Sequence, residues 1–592
     1  MPRLRTHFCP PSGADIGAGM CAFALSPLLA GLDARGRRNA TGRMGLKPEA
    51  GKIRPRQLLV DISELVRLDK KTGIPRVVRS VLAELLSSEP EGYRVEPVYA
   101  GMSHGYRYAR RFTAGFLGYR LGGPCDDPVD VAAGDVFWGL DWQAQIVPQQ
   151  RDQFASWQRN GVRIVFTVYD LLPLILPEST FPAVSYHHAR WLETIARADG
   201  LLAISRSVMN DLREWLTLFG WSLTHEVKLG WAHLGADLGA QPRGRSPGAD
   251  VASRQRTADS IPSFLMVGTI EPRKGHAQTL DAFECLWAAG LDARLVIIGK
   301  PGWKTEALAQ RLRGHAEAGR RLLWFEAAGD DDLEAAYETC TCLIAASLNE
   351  GFGLPLIEAA MRGLPILARD LPVFREVAGE HAAYFSGDDA ESLATAICSW
   401  LARRAAGAEP RPERMPWLTW AESVRAMLAC VLHGQWHDVW RPQPETGLLA
   451  RFWGADPRLD GGGGVRIGTR IVSQRRSEPL VAGRIGGLRA GAFEVIIFGE
   501  MGTGGTEGTD ALVCSCSGGQ VLGRARIAAQ FAAENGILAR IPFRLAAECN
   551  DVEIRVLGDQ HTDLSVAMVE IRMAEIPPLD VQAVPIANAT AG

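Results

Sequence analysis

Glu350 and Glu358 stand eight positions apart in the run SLNEGFGLPLIEAAMRGLPILARD, residues 347–370. The first carboxylate lies in a glycine-rich turn and the second inside an apolar helical pattern. Gly351 and Gly353 lack Cβ, so the backbone there is able to take unusual φ and lie against a ligand. A helix starting just after them opens with N–H groups that have no partner within the helix. Such a turn is a natural phosphate site. A carboxylate on each side is able to accept hydrogen bonds from sugar hydroxyls. Taken alone, the segment reads as a tight strand-to-helix turn with one solvated and one capping glutamate. A second segment changes that reading. In Thr269-Ile-Glu-Pro-Arg-Lys-Gly-His276, Arg273 and Lys274 sit where a strand ending at Gly268 opens into a helix. Two cations would there face a diphosphate, since Arg offers planar paired donors and Lys a compact charge.

Together these segments resemble the retaining family-4 glycosyltransferases of the GT-B fold. The signature of that family is two glutamates within EGFGLPxxE, and both glutamates, both glycines and the proline coincide here. The resemblance covers residues 57–435. It implies transfer of a sugar from a nucleotide donor with the anomeric configuration kept. By the same resemblance Arg273 and Lys274 hold the donor pyrophosphate, and Glu350 contacts the sugar hydroxyls near the reacting carbon. Backbone N–H groups of Gly351, Phe352, Gly353 and Leu354 serve sugar and phosphate, and Glu358 holds the ribose. The leaving phosphate takes the acceptor proton. No metal or cofactor is implied, and no DxD-type acidic pair stands at a strand end.

Lys71-Thr-Gly-Ile-Pro-Arg-Val-Val78 is similar to the family's glycine loop near the donor phosphate, with Thr72 in place of the first glycine and Gly73 kept. This form is similar to bacterial mannosyltransferases of surface polysaccharides and leans the donor towards GDP-mannose, with UDP-sugars still open. Arg76 reads equally as an ordinary first-turn helix residue. Many relatives carry His-Asp at the strand end where this chain has Tyr169-Asp170. Tyr169 is able to donate a hydrogen bond, and the pair is the candidate for the reacting centre beside Glu350. His187 and His188 follow, read as surface or core-edge residues. Ser205 and Ser207 match the family's serine-bearing turn, with helix capping an equal reading for Ser207.

The elements that must position these groups follow from pattern. A chain of 592 residues needs several cores. Short apolar strands alternate with helices from Gln57-Leu-Leu-Val onward, which predicts parallel sheets covered on both faces. A Gly/Pro/Ser/Arg-rich stretch separates two such blocks. The expected architecture is α/β, GT-B, with two doubly wound Rossmann-like lobes about a cleft, plus a C-terminal all-β sandwich-like domain. The expected divisions are a disordered basic extension (1–56), an acceptor-side lobe (57–240), a linker (241–260) and a donor lobe with a closing helix near Trp417, Trp420 and Met427 (261–438). A β domain (443–576) and a tail (577–592) follow. In the β domain, Val552, Ile554 and Val556 share one face and Glu553 and Arg555 the other.

Bulk numbers exclude other classes. Net charge is −3, which gives no reason to expect nucleic acid. Eleven cysteines without a CxxC pair read as buried thiols in a reducing compartment. No apolar run reaches eighteen residues, so no transmembrane helix is expected. Residues 1–56 carry ten Lys/Arg against three Asp/Glu, and peripheral contact with the inner face of a membrane is one expectation for a cytoplasmic enzyme. The expected partners are a nucleotide sugar and a glycan or lipid-linked oligosaccharide. Two other readings remain. One is a nucleotide-sugar epimerase of similar shape, opposed by EGFGLPxxE together with RKG. The other is a non-catalytic scaffold whose β domain binds glycan, opposed by the survival of Glu350, Glu358, Arg273 and Lys274.

Overall fold

The computed structural model describes residues 54–574, except 69–72, 120–124, 220–222, 224, 238–260, 443–447, 455, 457–458, 461–463, 468–469, 475–478, 503–508, 516–518, 528–535 and 559–562. The basic extension up to residue 53, the linker, Lys71, Thr72, the glycine turns at 461–463 and 503–505, Cys516 and the tail lie outside the described residues.

Continuous apolar runs make the two parallel sheets. Leu58, Leu59 and Val60 in β1 (Arg56–Asp61) are all fully buried, as expected for a strand with helices on both faces. The strands β2 (Tyr93–Gly101), β3 (His104–Tyr108), β4 (Val136–Gly139), β5 (Arg163–Val168), β6 (Gly200–Ala203) and β7 (Val227–Trp231) complete the first sheet. Over these seven strands its order is β3-β2-β1-β4-β5-β6-β7, parallel apart from β3. The second sheet contains β8 (Ser263–Val267), β9 (Arg294–Ile298), β10 (Leu322–Phe325), β11 (Cys342–Ala345), β12 (Ile366–Arg369) and β13 (Ala383–Phe385). It runs β10-β9-β8-β11-β12-β13, all parallel. Both orders reverse direction once, between β1 and β4 and between β8 and β11. Ligands of such sheets lie outside the carboxyl ends of the strands at that reversal. The molecule is thus a GT-B fold, two doubly wound lobes about a cleft.

The chain then returns to the first lobe. Thr419 Oγ1 accepts from Glu422 N–H at 3.3 Å, and Glu422 Oε2 accepts from Thr419 N–H at 2.8 Å. This capping box starts the helix Trp420–Val431. Ser423 Oγ of that helix donates to His233 O at 2.6 Å. A further strand, β14 (Asp438–Trp440), pairs antiparallel with β7, so the closing segment is built into the first sheet.

Eleven strands follow: β15 (Leu448–Trp453), β16 (Leu459–Asp460), β17 (Gly464–Ile467), β18 (Arg470–Ser473), β19 (Pro479–Leu488), β20 (Gly491–Met501), β21 (Asp510–Ser515), β22 (Gln520–Arg526), β23 (Ile537–Leu545), β24 (Cys549–Leu557) and β25 (Leu564–Met573). They form two antiparallel sheets that share one apolar core, distinct from the cores of the lobes. Val552, Ile554 and Val556 on β24 are fully buried, while Glu553 and Arg555 pair at 2.8 Å on the other face.

Some expectations need correction. A short helix, Ser63–Arg67, follows β1 in a stretch to which the sequence pattern assigned no element. The apolar pattern at Trp191–Ala198 reads as helix, and the structure starts that helix earlier, at Pro182, and ends it at Ile195. Its buried stripe runs Ser185, His188, Ala189, Leu192, Ile195, and the two polar members hid the period. Cys340, Cys342, Cys430 and Cys514 are buried, but Cys125, Cys285 and Cys398 are exposed. Cys340 caps the end of a helix and Cys342 opens β11, so their i, i+2 spacing does not put them on one strand face. Among the described residues no helix is long and apolar enough to cross a membrane.

Candidate active site

Two loops border the reversal of the second sheet. One follows β8 and carries Arg273 and Lys274; the other follows β11 and carries Glu350. Leu348 N–H donates to Arg273 O at 2.7 Å and ties them together. The second loop turns into the helix Leu354–Ala360 through Gly353, whose φ of +100° is strained for any residue with a Cβ. Gly351 serves differently. A Cβ there would stand 2.3 Å from the Tyr169 carbonyl, so its absence lets the two lobes touch.

The charges meet at Glu350. Lys274 Nζ donates to Glu350 Oε1, Ser347 Oγ donates to the same oxygen at 2.8 Å, and Arg273 Nη1 lies 3.2 Å from Oε2. Arg273 Nε lies 2.9 Å from Glu271 Oε2, so the guanidinium bridges two carboxylates. Burial alone would push the Glu350 carboxyl up; Lys274 and Arg273 outweigh it and hold it at about 2. Burial opposes the Arg273 charge, and Glu350, Glu271 and Asp170 raise its pKa in spite of that. Glu350 is therefore an ionised carboxylate at neutral pH, held between Lys274 and Arg273.

Asp170 faces this cluster from the first lobe. Its Oδ1 accepts from Leu172 N–H at 3.1 Å. Burial raises its carboxyl pKa, Arg273 opposes that, and Glu350 adds to it. Tyr169 does not join it. Its side chain is buried in the first-lobe core, and its hydroxyl donates to Leu140 O at 2.9 Å. Only its backbone carbonyl meets the glycine turn, so the hydroxyl expected at the reacting centre is directed elsewhere. His188, expected at a surface or core edge, is buried, with Nδ1 accepting from Trp142 Nε1–H at 3.1 Å. Burial pushes its pKa down to about 4.

Glu358 is held across the cleft. Arg76 Nη1 donates to its Oε1 at 2.6 Å, and Tyr337 hydroxyl donates to Oε2 at 2.8 Å. Arg76 comes from the helix Ile74–Ser87, which Gly73 precedes as N-cap. The residue left open as a plain helix residue is thus an interlobe contact. Ser205 Oγ accepts from Val208 N–H at 3.1 Å and donates to Gly351 O at 2.8 Å, so it both caps its helix and reaches the other lobe. Ser207, the alternative cap, donates its hydroxyl to Glu376 at 2.9 Å instead. Phe352 is buried, edge-on to His233 at 5.3 Å.

Residues 253–415 match the family model of glycosyl transferases group 1. This chain carries a group 1 glycosyltransferase domain. It is 41% identical over 380 residues to the serotype-specific mannosyltransferase WbdA of Escherichia coli, a match covering 63% of this chain and 44% of WbdA. It is 30% identical over 141 residues to O-antigen chain mannosyltransferase B of the same organism, covering 23% of this chain and 36% of that protein. The chain thus spans less than half the length of these curated relatives. Among solved structures, a sucrose-phosphate synthase from Thermosynechococcus elongatus aligns at 16% identity and a TM-score of 0.44, over 64% of this chain and 98% of that one.

Three residues of the group 1 domain were not found from sequence. Arg369, ending β12, donates Nε–H to Ser347 O at 3.0 Å and Nη2–H to Ala346 O at 3.2 Å, and bonds Gln278 and Gly387 O as well. It clamps the backbone that leads to Glu350. A lone cation closing the apolar run PILARD was the available signal. Glu271 stands two residues before Arg273 and was overlooked beside it. Glu376 accepts from Arg206 N–H at 2.7 Å, Ser207 N–H at 2.9 Å and His233 Nε2 at 2.8 Å, which locks the start of one lobe's helix to the other lobe. A single glutamate in a helix pattern carries no sequence sign of that role.

The reversal point of the first lobe holds two buried acids. Asp61 accepts from Ser63 N–H at 2.9 Å and from the Tyr106 hydroxyl at 2.8 Å; Asp141 accepts from Leu65 N–H at 2.9 Å. Both anchor the start of the helix Ser63–Arg67. Burial raises Asp61 to about 6; burial and the Asp61 charge raise Asp141 to about 7.

Proposed function

We propose that this chain transfers a hexose, with mannose favoured, from a nucleoside-diphosphate sugar to a glycan or lipid-linked oligosaccharide in bacterial surface polysaccharide synthesis, keeping the anomeric configuration. The observation that carries the reading is the Lys274–Glu350–Arg273 cluster at the reversal point of the second lobe, with Asp170 opposite it. Two cations are placed to neutralise a diphosphate, and the carboxylates accept from hydroxyls. The relatives named as mannosyltransferases support the hexose and the glycan acceptor.

In the proposed step Arg273 and Lys274 move their donors from Glu350 to the donor phosphates. Glu350 is then free to accept from sugar hydroxyls, and Glu358 takes a ribose hydroxyl in place of Arg76. The acceptor oxygen attacks the anomeric carbon from the face the phosphate leaves. The new carbon–oxygen bond forms as the carbon–phosphate-oxygen bond breaks. That bonding pair goes to the phosphate, which takes the acceptor's proton. Charge neutralisation and positioning supply the acceleration, so the proposal requires no metal, and chelation is expected to leave the rate unchanged. Cytoplasmic nucleotide sugars place the reaction inside the cell, and the basic residues before residue 57 suit the inner membrane face. The test is proton NMR of the first product formed from an α-linked donor. An α-linked product supports retention, and a β-linked product refutes it.

A further inference from the structure

A cavity of about 720 Å³ lies where β7, the helix Pro372–Ala378 and the closing helix Trp420–Val431 converge. It is outside the Lys274–Glu350 cluster, and its size is in the ~300–1,000 Å³ range of small-ligand sites. Three indoles line it: Trp231, Trp417 and Trp436. His437 stacks on Trp231 at 5.1 Å with 29° between the rings and the Arg206 guanidinium lies 5.1 Å from the same ring, so a stacking face for a ligand comes from Trp417 or Trp436 rather than Trp231. We propose that this cavity is a glycan subsite that binds a hexose unit of the acceptor chain away from the reacting centre. The ligand class rests on the transferase reading above; the cavity does not.

The lining fits a sugar ring better than a purely apolar guest. A pyranose presents a face of C–H groups and a rim of hydroxyls, and an indole face carries the negative end of its quadrupole towards such C–H groups. The polar groups needed by the rim are present. None of the three indole N–H groups has an acceptor among the described residues, and the Gln435 side-chain amide has no partner among them either. His437 Nδ1 accepts from Trp231 N–H at 3.2 Å, which leaves its Nε2 as a donor. Rigidity supports a preformed site. Ala236 N–H donates to Leu418 O at 2.8 Å, fixing the segment that carries Trp417. The cavity wall also touches the candidate active site, because His233, which lines it, packs against Phe352, two residues after Glu350. A bound glycan would press on the same turn that positions the donor.

The test is saturation-transfer NMR of a linear α-mannotriose with the full chain, beside Trp417→Ala, Trp417→Phe and Lys274→Ala. The expected result is transfer to the trisaccharide in the wild type, Trp417→Phe and Lys274→Ala, with binding at least about tenfold weaker in Trp417→Ala. Trp417→Phe separates loss of the flat face from loss of folding. The inference is overturned if the trisaccharide gives no signal, if the signal is indifferent to Trp417→Ala, or if a short isoprenyl phosphate occupies the cavity and excludes the sugar. Donor turnover measured in parallel keeps the two readings apart. A Trp417-dependent signal without turnover removes the transferase, and turnover without the signal removes the subsite.

Discussion

Lys274 and Arg273 hold Glu350 from two sides, and burial makes each of these charges depend on the others. Lys274→Ala leaves Glu350 with one cation and a diphosphate with one donor group fewer. Its kcat/KM is expected to fall by about 100-fold or more, read from steady-state nucleotide release. Glu350→Gln keeps the shape but loses the charged acceptor, and its effect should appear in kcat more than in KM. Because Glu350 is held at about 2 in the free protein, it stays ionised through the neutral range and contributes no inflection to the pH profile of kcat/KM above pH 4. At this scale the sequence was informative where residue type and chemistry coincide. Arg273, Lys274, Glu350 and Asp170 come together as a cluster. Tyr169 failed because an aromatic residue after an apolar strand satisfies burial as well as it satisfies a cleft, and here the Leu140 carbonyl takes its hydroxyl. Arg369 stayed hidden because its partners are backbone carbonyls, which no pattern of side chains reveals.

Loops between strand ends and helices carry the site, so predictions for elements concern closure and anchoring. Gly351→Ala puts a methyl group against the Tyr169 carbonyl. The lobes would fold as before but meet less closely. The expected outcome is a lowered Tm, because the lobes share one core, together with a fall in kcat, checked by thermal melts beside kinetics. The helix Ser63–Arg67 gives a pH prediction. Asp61 at about 6 and Asp141 at about 7 bind protons more tightly when folded than when unfolded. Stability from this pair is therefore full at low pH and is lost as pH rises through about 4 to 7. At about 1.4 kcal/mol per pKa unit, the loss is about 3 kcal/mol for Asp61 and about 4 kcal/mol for Asp141. Asp141→Asn should flatten the decline in unfolding free energy between about pH 4 and 7; an unchanged slope would show that the carboxyl is ionised in the fold. Strands were legible because buried parallel strands are continuous apolar runs. The helix Ser63–Arg67 was not, because side-chain carboxylates rather than an apolar stripe start it.

For the whole molecule, the apolar cores describe two cooperative bodies: the lobes, stitched together by β14 and the closing helix, and the C-terminal pair of antiparallel sheets. A chain ending at residue 442 keeps β14 and loses only the second body. It is expected to unfold in one transition and to retain donor turnover, whereas the full chain shows a further transition in calorimetry. Loss of turnover in the shorter chain would assign the antiparallel sheets to the reaction. Two doubly wound lobes could be read from the alternation of strands and helices. The return of the chain to the first sheet at β14 could not, since three residues, Asp438–Trp440, carry too little pattern to name their partner strand.

The most direct test of the central claim is to incubate the purified chain with GDP-, UDP-, ADP- and dTDP-sugars and measure nucleotide release and thermal stabilisation, with Glu350→Ala and Lys274→Ala alongside. The account predicts that one donor stabilises the protein and is turned over, and that both effects are lost in the two variants. Release that persists in both variants, or stabilisation by none of the donors, would contradict it.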